Sequence, residues 1–109
     1  MSYKVKTTDV FEKQAKRLIK KYVSQKAALL HLVQELKEKP EQGTAIGKSC
    51  FKIRIAIASK GKSKSGGARI IANIVITEPI VYLLSIYDKS EKGNLTDKEL
   101  EELLKAIPD

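Results

Sequence analysis

The stretch 51–58, FKIRIAIA, alternates large apolar side chains with charged or small ones, and this alternation decides the fold class. It is typical of a β-strand with one face on the core. The segments 68–76 and 80–87 follow and are rich in β-branched and apolar residues. Because the connections between these segments are short, consecutive strands are expected to pair antiparallel. The sequence therefore predicts a three-stranded meander in the second half of the chain.

The first half of the chain has a different apolar period. Residues 3–7 alternate as a short first strand. Asp9, with Glu12 three residues on, is placed to cap a helix whose apolar side chains fall at helical spacing. A second amphipathic helix is predicted from Ser24 to just before Pro40. Two helices joined by so short a connection predict a helical hairpin.

A last helix is predicted to begin at Thr96 and Glu99, which have the spacing of a capping box. The predicted order is strand, helix, helix, three strands, helix. We therefore expect a single α+β domain over residues 1–109, with an antiparallel-dominated four-stranded sheet. Two N-terminal helices are expected on one face of that sheet, together with a short C-terminal helix.

The charge of the chain is high and unevenly distributed. Lys and Arg number 21 against 13 Asp and Glu, a net charge of +8, and no acidic residue lies between Glu41 and Glu78. A segregated positive field favours a polyanionic partner, nucleic acid first. The alternative is a basic face kept only for solubility. The cations in the gap are Lys48, Lys52, Arg54, Lys60, Lys62, Lys64 and Arg69.

Several kinds of site are excluded or disfavoured. Cys50 and His31 are single, so there is neither an internal disulfide nor a zinc ligand set, and a histidine-pair nuclease is excluded. A two-metal nuclease is disfavoured because 42–77 holds no carboxylate. The apolar runs are far shorter than the ~20 residues of a membrane helix. We expect no metal, no cofactor and no membrane association.

Strand parity groups four polar side chains. If Phe51 and its alternate residues face the helices, Lys52 and Arg54 point to the opposite, open face. By the same rule, Arg69 of the second strand and Tyr87 of the third lie on this open face. Lys89 comes just after the third strand. The core set predicted for that strand is Tyr82, Leu84 and Ile86.

This group is suited to breaking a phosphodiester. Cations hold a phosphate and stabilise the charge that develops as an RNA 2′-hydroxyl attacks phosphorus. Tyr87, or a lysine whose pKa is lowered by neighbouring cations, would move the proton. Alternatively, Lys52, Arg54 and Arg69 only solvate the sheet, and Tyr87 is an ordinary strand tyrosine at the core rim.

A Lys/Gly/Ser loop, 59–67, joins the first two strands of the meander. Its lysines can follow a nucleic-acid backbone, or the loop is a hairpin tip with no such role. The predicted RNA-binding residues are Lys48, Lys60, Lys62, Lys64 and Lys89.

Four segments carry a family resemblance. They are 51–54 (FKIR), 60–71 (KGKSKSGGARII), 81–91 (VYLLSIYDKSE) and 94–96 (NLT). Together they resemble the RelE/ParE superfamily of bacterial type II toxins, nearest its HigB-like branch. The resemblance follows the element order of nearly the whole chain.

The resemblance implies a toxin that cleaves mRNA in the ribosomal A site without metal and is held inactive by a cognate antitoxin. Antitoxins of this branch often carry a helix-turn-helix domain, through which the pair binds its operator DNA. By position, Lys52 and Arg54 would lie at the scissile phosphate and Arg69 would stabilise its charge. Tyr87 would stack on a base or transfer a proton, and Lys89 would contact a further phosphate.

Two alternatives stay open at this point. The superfamily includes ParE-like toxins that inhibit DNA gyrase and lack nuclease activity. The second alternative is a catalytically inactive module that only binds an antitoxin.

Overall fold

The computed structural model describes residues 2–58, 61 and 66–108. These residues form β1 (Lys4–Thr7), α1 (Asp9–Lys21), α2 (Gln25–Glu38), β2 (Thr44–Gly47), β3 (Cys50–Ile55), β4 (Ala68–Val75), β5 (Ile80–Asp88) and α3 (Asp97–Leu104). Within this described part, none of the helices has the length and apolar character needed to cross a membrane.

The strands form one sheet in the order β1-β5-β4-β3-β2. The β2–β3, β3–β4 and β4–β5 pairs are antiparallel, whereas β1 lies parallel to β5 at one edge. The predicted α+β class, the meander and the antiparallel-dominated sheet are confirmed. The prediction of four strands is wrong, because β2 adds a fifth.

The missed strand belongs to a tight hairpin. β2 and β3 are joined by Lys48 and Ser49, which both have positive φ angles of 54° and 59°. Two such residues are the mark of a type I′ turn, for which Asn-Gly is the usual sequence signal. Because Lys-Ser carries no such signal, the sequence predicts neither this hairpin nor a strand before Lys48.

One face of the sheet packs against α1 and α2, as predicted. The helix residues Phe11, Leu18 and Leu36 lie in this core with apolar side chains of the strands. The cap of α1 is Thr8 rather than Asp9: Thr8 Oγ1 accepts a hydrogen bond from the Phe11 backbone N–H at 3.2 Å. Thr8 has extended backbone angles, so it takes the position at which a side chain reaches the first free N–H groups.

A β-bulge changes the parity of β5. Ile71 pairs with Ser85 but the next residue of β4 pairs with Leu83, so Leu84 is the extra residue. Leu84 and Ser85 therefore lie on the same face. Gln14 Oε1 accepts from Ser85 Oγ at 2.9 Å and from the Ile86 N–H at 3.0 Å at this point.

The bulge overturns part of the predicted core set. Tyr82 and Leu84 pack on the face away from α1 and α2, whereas Ile86 packs under the helices as predicted. The residues that take the helix side in their place are Val81 and Leu83. Side chains alternate on both sides of the bulge, but the predicted faces are right only between the bulge and the end of β5.

The opposite face carries α3, which begins with the predicted capping box of Thr96 and Glu99. Leu100 packs there with Ile71 and Leu84 in a second, smaller core. The interpretation of this face as open is therefore wrong where α3 covers it.

Candidate functional site

Three of the predicted catalytic residues stand opposite one another on adjacent strands. Arg54 of β3 pairs with Arg69 of β4, and Arg69 pairs with Tyr87 of β5. Directly opposite residues of antiparallel strands are about 5 Å apart at Cα, so their side chains share one surface. We call Arg54, Arg69 and Tyr87 the cross-strand row. Lys52 lies two residues from Arg54 on the same face.

The outer cations of this group are accessible. The Arg54 side chain is exposed and that of Lys52 is half-buried. Among the residues that the structure describes, no carboxylate lies within ion-pair distance of either one. Both charges are therefore available to an anionic ligand.

Arg69 lies in the middle of the row and is only 4% exposed. Its Nη1 donates to the Ala68 carbonyl at 3.2 Å. Burial lowers the pKa of Arg69, and the positive charge of Arg54 lowers it further. A guanidinium nevertheless stays protonated in proteins, so a desolvated cation stands beside a second cation. An anion bound here would relieve that repulsion. The expectation that Arg69 is exposed is wrong, because its side chain is almost fully buried in the fold.

Tyr87 is also buried, at 9% exposure. Burial raises the pKa of Tyr87, whereas the positive charges of Arg69 and Lys92 oppose the rise and Glu99 adds to it. The phenol is therefore protonated in neutral solution and is a proton donor rather than a base.

Lys92 is a neighbour of Tyr87 that the sequence did not identify. Its Nζ donates to Glu99 Oε2, which ties the loop after β5 to the first turn of α3. Lys92 lies beyond the end of β5, where strand parity no longer applies. Only the path of the loop brings its charge to Tyr87.

Asp88 anchors the end of β5 from the other face. It is 1% exposed, and its carboxylate accepts from Tyr22 Oη at 3.2 Å and from the Ser90 N–H at 2.9 Å. The neighbouring Tyr87 therefore stands on a strand end that is tied to the loop and to the residue after α1.

The predicted RNA-binding lysines have different surroundings. Lys48 Nζ donates to Glu101 Oε1 at 2.7 Å, so its charge is partly neutralised and it ties the β2–β3 hairpin to α3. Lys89 has an exposed side chain, and its backbone N–H donates to the Gly67 carbonyl at 3.1 Å. The remaining three, Lys60, Lys62 and Lys64, lie outside the described residues.

In the described ranges, no three His, Cys, Asp or Glu side chains gather into a group able to hold a metal ion. Chemistry without a metal or cofactor stays a prediction.

The model of one protein family matches residues 4–107; it is described as the RelE toxin of the RelE / RelB toxin-antitoxin system. The chain belongs to the RelE toxin family. It is thus a toxin of a toxin-antitoxin system, and its family partner is an antitoxin. The predicted RelE/ParE superfamily is confirmed, and the HigB-like branch stays a prediction.

Two solved structures share the fold of this RelE-family toxin. An alanine double mutant of E. coli toxin RelE in the free state matches with a TM-score of 0.60 at 17% identity, over 99% of this chain and 100% of that one. The isolated E. coli RelE toxin matches with a TM-score of 0.62 at 15% identity, over 97% of this chain and 100% of that one. At such low identity the likeness shows the fold alone.

Proposed function

We propose that this RelE-family toxin is an endoribonuclease that cleaves mRNA on the ribosome, by attack of an RNA 2′-hydroxyl on the adjacent phosphorus and without a metal ion. The observation that carries the proposal is the cross-strand row of Arg54, Arg69 and Tyr87, with Lys52 on the same face.

The cations have different proposed roles because they differ in burial. Lys52 and Arg54 are accessible enough to capture the phosphate, and arginine does so with two hydrogen bonds. Arg69 is held in place by its surroundings. A fixed charge stabilises the negative charge that builds on the phosphoryl oxygens without having to reorganise as the reaction proceeds.

Tyr87 is the general acid in this scheme. As the 2′-oxygen bonds to phosphorus, its proton passes to solvent, and the bond from phosphorus to the 5′-oxygen breaks. The Tyr87 phenol donates its proton to that leaving oxygen. The products are a 2′,3′-cyclic phosphate and a 5′-hydroxyl. The raised pKa of Tyr87 keeps the required proton in place at neutral pH.

The proposed scheme also explains why cleavage would depend on the ribosome. No side chain is assigned as a strong base, so the rate depends on an RNA whose 2′-hydroxyl is already aligned with the phosphorus. Such alignment is worth several kcal/mol of barrier, on the order of 7–11 in favourable intramolecular cases. The ribosome would supply it, which places the activity in the cytoplasm. An antitoxin of the helix-turn-helix type, acting on operator DNA, remains part of the proposal.

Arg54→Ala tests the row directly, because Arg54 is exposed and its loss should leave the fold intact. We expect cleavage of ribosome-bound mRNA, mapped by its new 5′ ends, to fall about 100-fold. Arg17→Ala is the matched control, since Arg17 is an exposed arginine of α1. Wild-type rates for Arg54→Ala would contradict the site.

Expression without the antitoxin tests the function as a whole. Cuts within translated codons support the proposal. DNA damage with intact mRNA would indicate gyrase inhibition instead, and harmless expression would indicate an inactive antitoxin-binding module.

A further inference from the structure

A small cavity lies beside Lys52 on the face that carries α3. It has a volume of about 170 Å³ and sits between the β3–β4 surface and the start of α3. Its walls include the apolar side chains of Ile71, Leu95 and Leu100, and its polar lining includes Lys52, Asn94 and Asp97. None of the roles assigned above uses Asn94 or Asp97.

The cavity is one step along the sheet from the cross-strand row. Lys52 and Ile71 are register partners, and each lies two residues from the row, from Arg54 and Arg69 respectively. At about 3.3 Å per residue the separation along the strands is about 7 Å. A nucleotide with its phosphate on the row can therefore place a base in the cavity, while Lys52 contacts both.

The lining of the cavity matches a nucleobase. Apolar walls suit the face of a base, and polar groups at the rim suit its edge. In the part of the chain that the structure describes, neither the Asn94 amide nor the Asp97 carboxylate is engaged in a hydrogen bond or ion pair through its side chain. An ionised Asp97 only accepts hydrogen bonds, and Asn94 both donates and accepts.

We propose that this cavity binds a base next to the scissile phosphate, that Asn94 holds the edge of the base, and that Asp97 selects a base with an exocyclic amino group over uracil. The Asp97 carboxylate, which only accepts, pairs with such an amino group but not with the carbonyl oxygen that uracil presents at that position, whereas the Asn94 amide can pair with either. The inference rests on the proposed RNA cleavage and adds to it a determinant of sequence preference.

Binding of CMP and UMP to the full-length toxin tests the cavity without requiring cleavage. The two probes differ along one edge of the ring: CMP has an amino group at C4 and an acceptor nitrogen at N3, whereas UMP has a carbonyl at C4 and an N–H at N3. We expect both to perturb the backbone NMR signals of Leu95 and Asp97, with CMP binding about tenfold more tightly. Equal affinities, or perturbations confined to the cross-strand row, would overturn the proposal.

Variants at the rim sharpen this test. Asn94→Ala should weaken the binding of both nucleotides, because its amide can accept from CMP and donate to UMP, whereas Gln34→Ala, an exposed amide of α2, should keep the wild-type affinities. Asp97→Asn adds a donor that can pair with the uracil carbonyl, so it should narrow or reverse the preference. Should Asn94→Ala fail to fold, as judged by its melting curve, the Asp97→Asn result decides.

Cleavage of ribosome-bound mRNA with cytosine or uracil at each codon position separates this inference from the proposed function. Cleavage that favours cytosine at one position, with the preference lost in Asp97→Asn, supports both. Cleavage that is indifferent to the base overturns the cavity and leaves the nuclease standing. Selective CMP binding without any mRNA cleavage supports the base-binding cavity and contradicts the proposed nuclease activity.

Discussion

The two faces of the sheet differ in what their strands bury. Under α1 and α2 the central strand side chains are apolar, as in Ile53, Ile70 and Leu83. On the α3 face, Arg69 and Ser85 are buried among apolar residues, at 4% exposure each. Burying a charged or polar group is costly unless it is compensated. The first face is therefore mainly an apolar core, whereas the second holds the cations that we assign to phosphate binding.

The largest expected effect is the loss of RNA cleavage when Arg69 on the α3 face is replaced. Arg69→Met replaces the buried cation by an apolar side chain of similar length. We expect ribosome-dependent cleavage to fall about 1,000-fold. The free energy of unfolding should change by less than about 1 kcal/mol, because the loss of the charge also removes its desolvation cost. Cleavage assays and urea denaturation of the same preparation measure the two effects.

The opposite outcome would break this comparison. If Arg69→Met lost several kcal/mol of stability while its folded fraction still cleaved RNA normally, Arg69 would be a structural residue like those of the helix face.

The helix face should show the reverse behaviour. Leu36 of α2 is fully buried, so Leu36→Ala should lower the free energy of unfolding by about 3 kcal/mol. Cleavage per folded molecule should not change. Leu30→Ala on the same helix is the control, because Leu30 is 59% exposed and its truncation should cost less than about 0.5 kcal/mol. Similar losses for both variants in urea denaturation would contradict the packing described here.

The smallest effect concerns the pH dependence of stability on the α3 face. The pKa of Tyr87 is raised in the folded state, mainly by burial, so in the unfolded chain the phenol loses its proton at a lower pH. Its contribution is present below pH ~10 and is lost as the pH rises through the folded-state pKa. One such group changes stability by at most about 1.4 kcal/mol per pH unit.

Wild-type and Tyr87→Phe toxins should therefore differ in their alkaline unfolding. Thermal melting between neutral pH and pH 11 should show a steeper loss of stability in the wild type. Parallel curves would mean that burial of Tyr87 does not perturb its titration.

Local patterns predicted much of the site but less of its environment. The alternation in β3 and β4 placed Lys52, Arg54 and Arg69 on one face, and the register pairs Arg54 with Arg69. The same rule failed in β5, because the bulge at Leu84 depends on pairing with β4 and leaves no mark in the sequence of β5. Tyr87 kept its predicted face because the bulge lies before it.

The other contacts around the site join residues that are far apart in the chain. Lys92 reaches Tyr87 through the loop after β5, and Lys48 meets Glu101 across the molecule. Neither pairing follows from spacing along the chain, because each depends on where α3 lies on the sheet.

By itself, the sequence determined the α+β class, the capping box of α3, the apolar stripes of α1 and α2, and the positive charge of one strand face. These follow from the period of the side chains and from hydrogen bonds within a few residues. The fifth strand, the bulge in β5, the burial of Arg69 and Tyr87 and the cavity beside Lys52 were decided only by the tertiary structure. Each depends on which surfaces meet, and long-range packing overrides local preference wherever segments distant in the chain share a boundary.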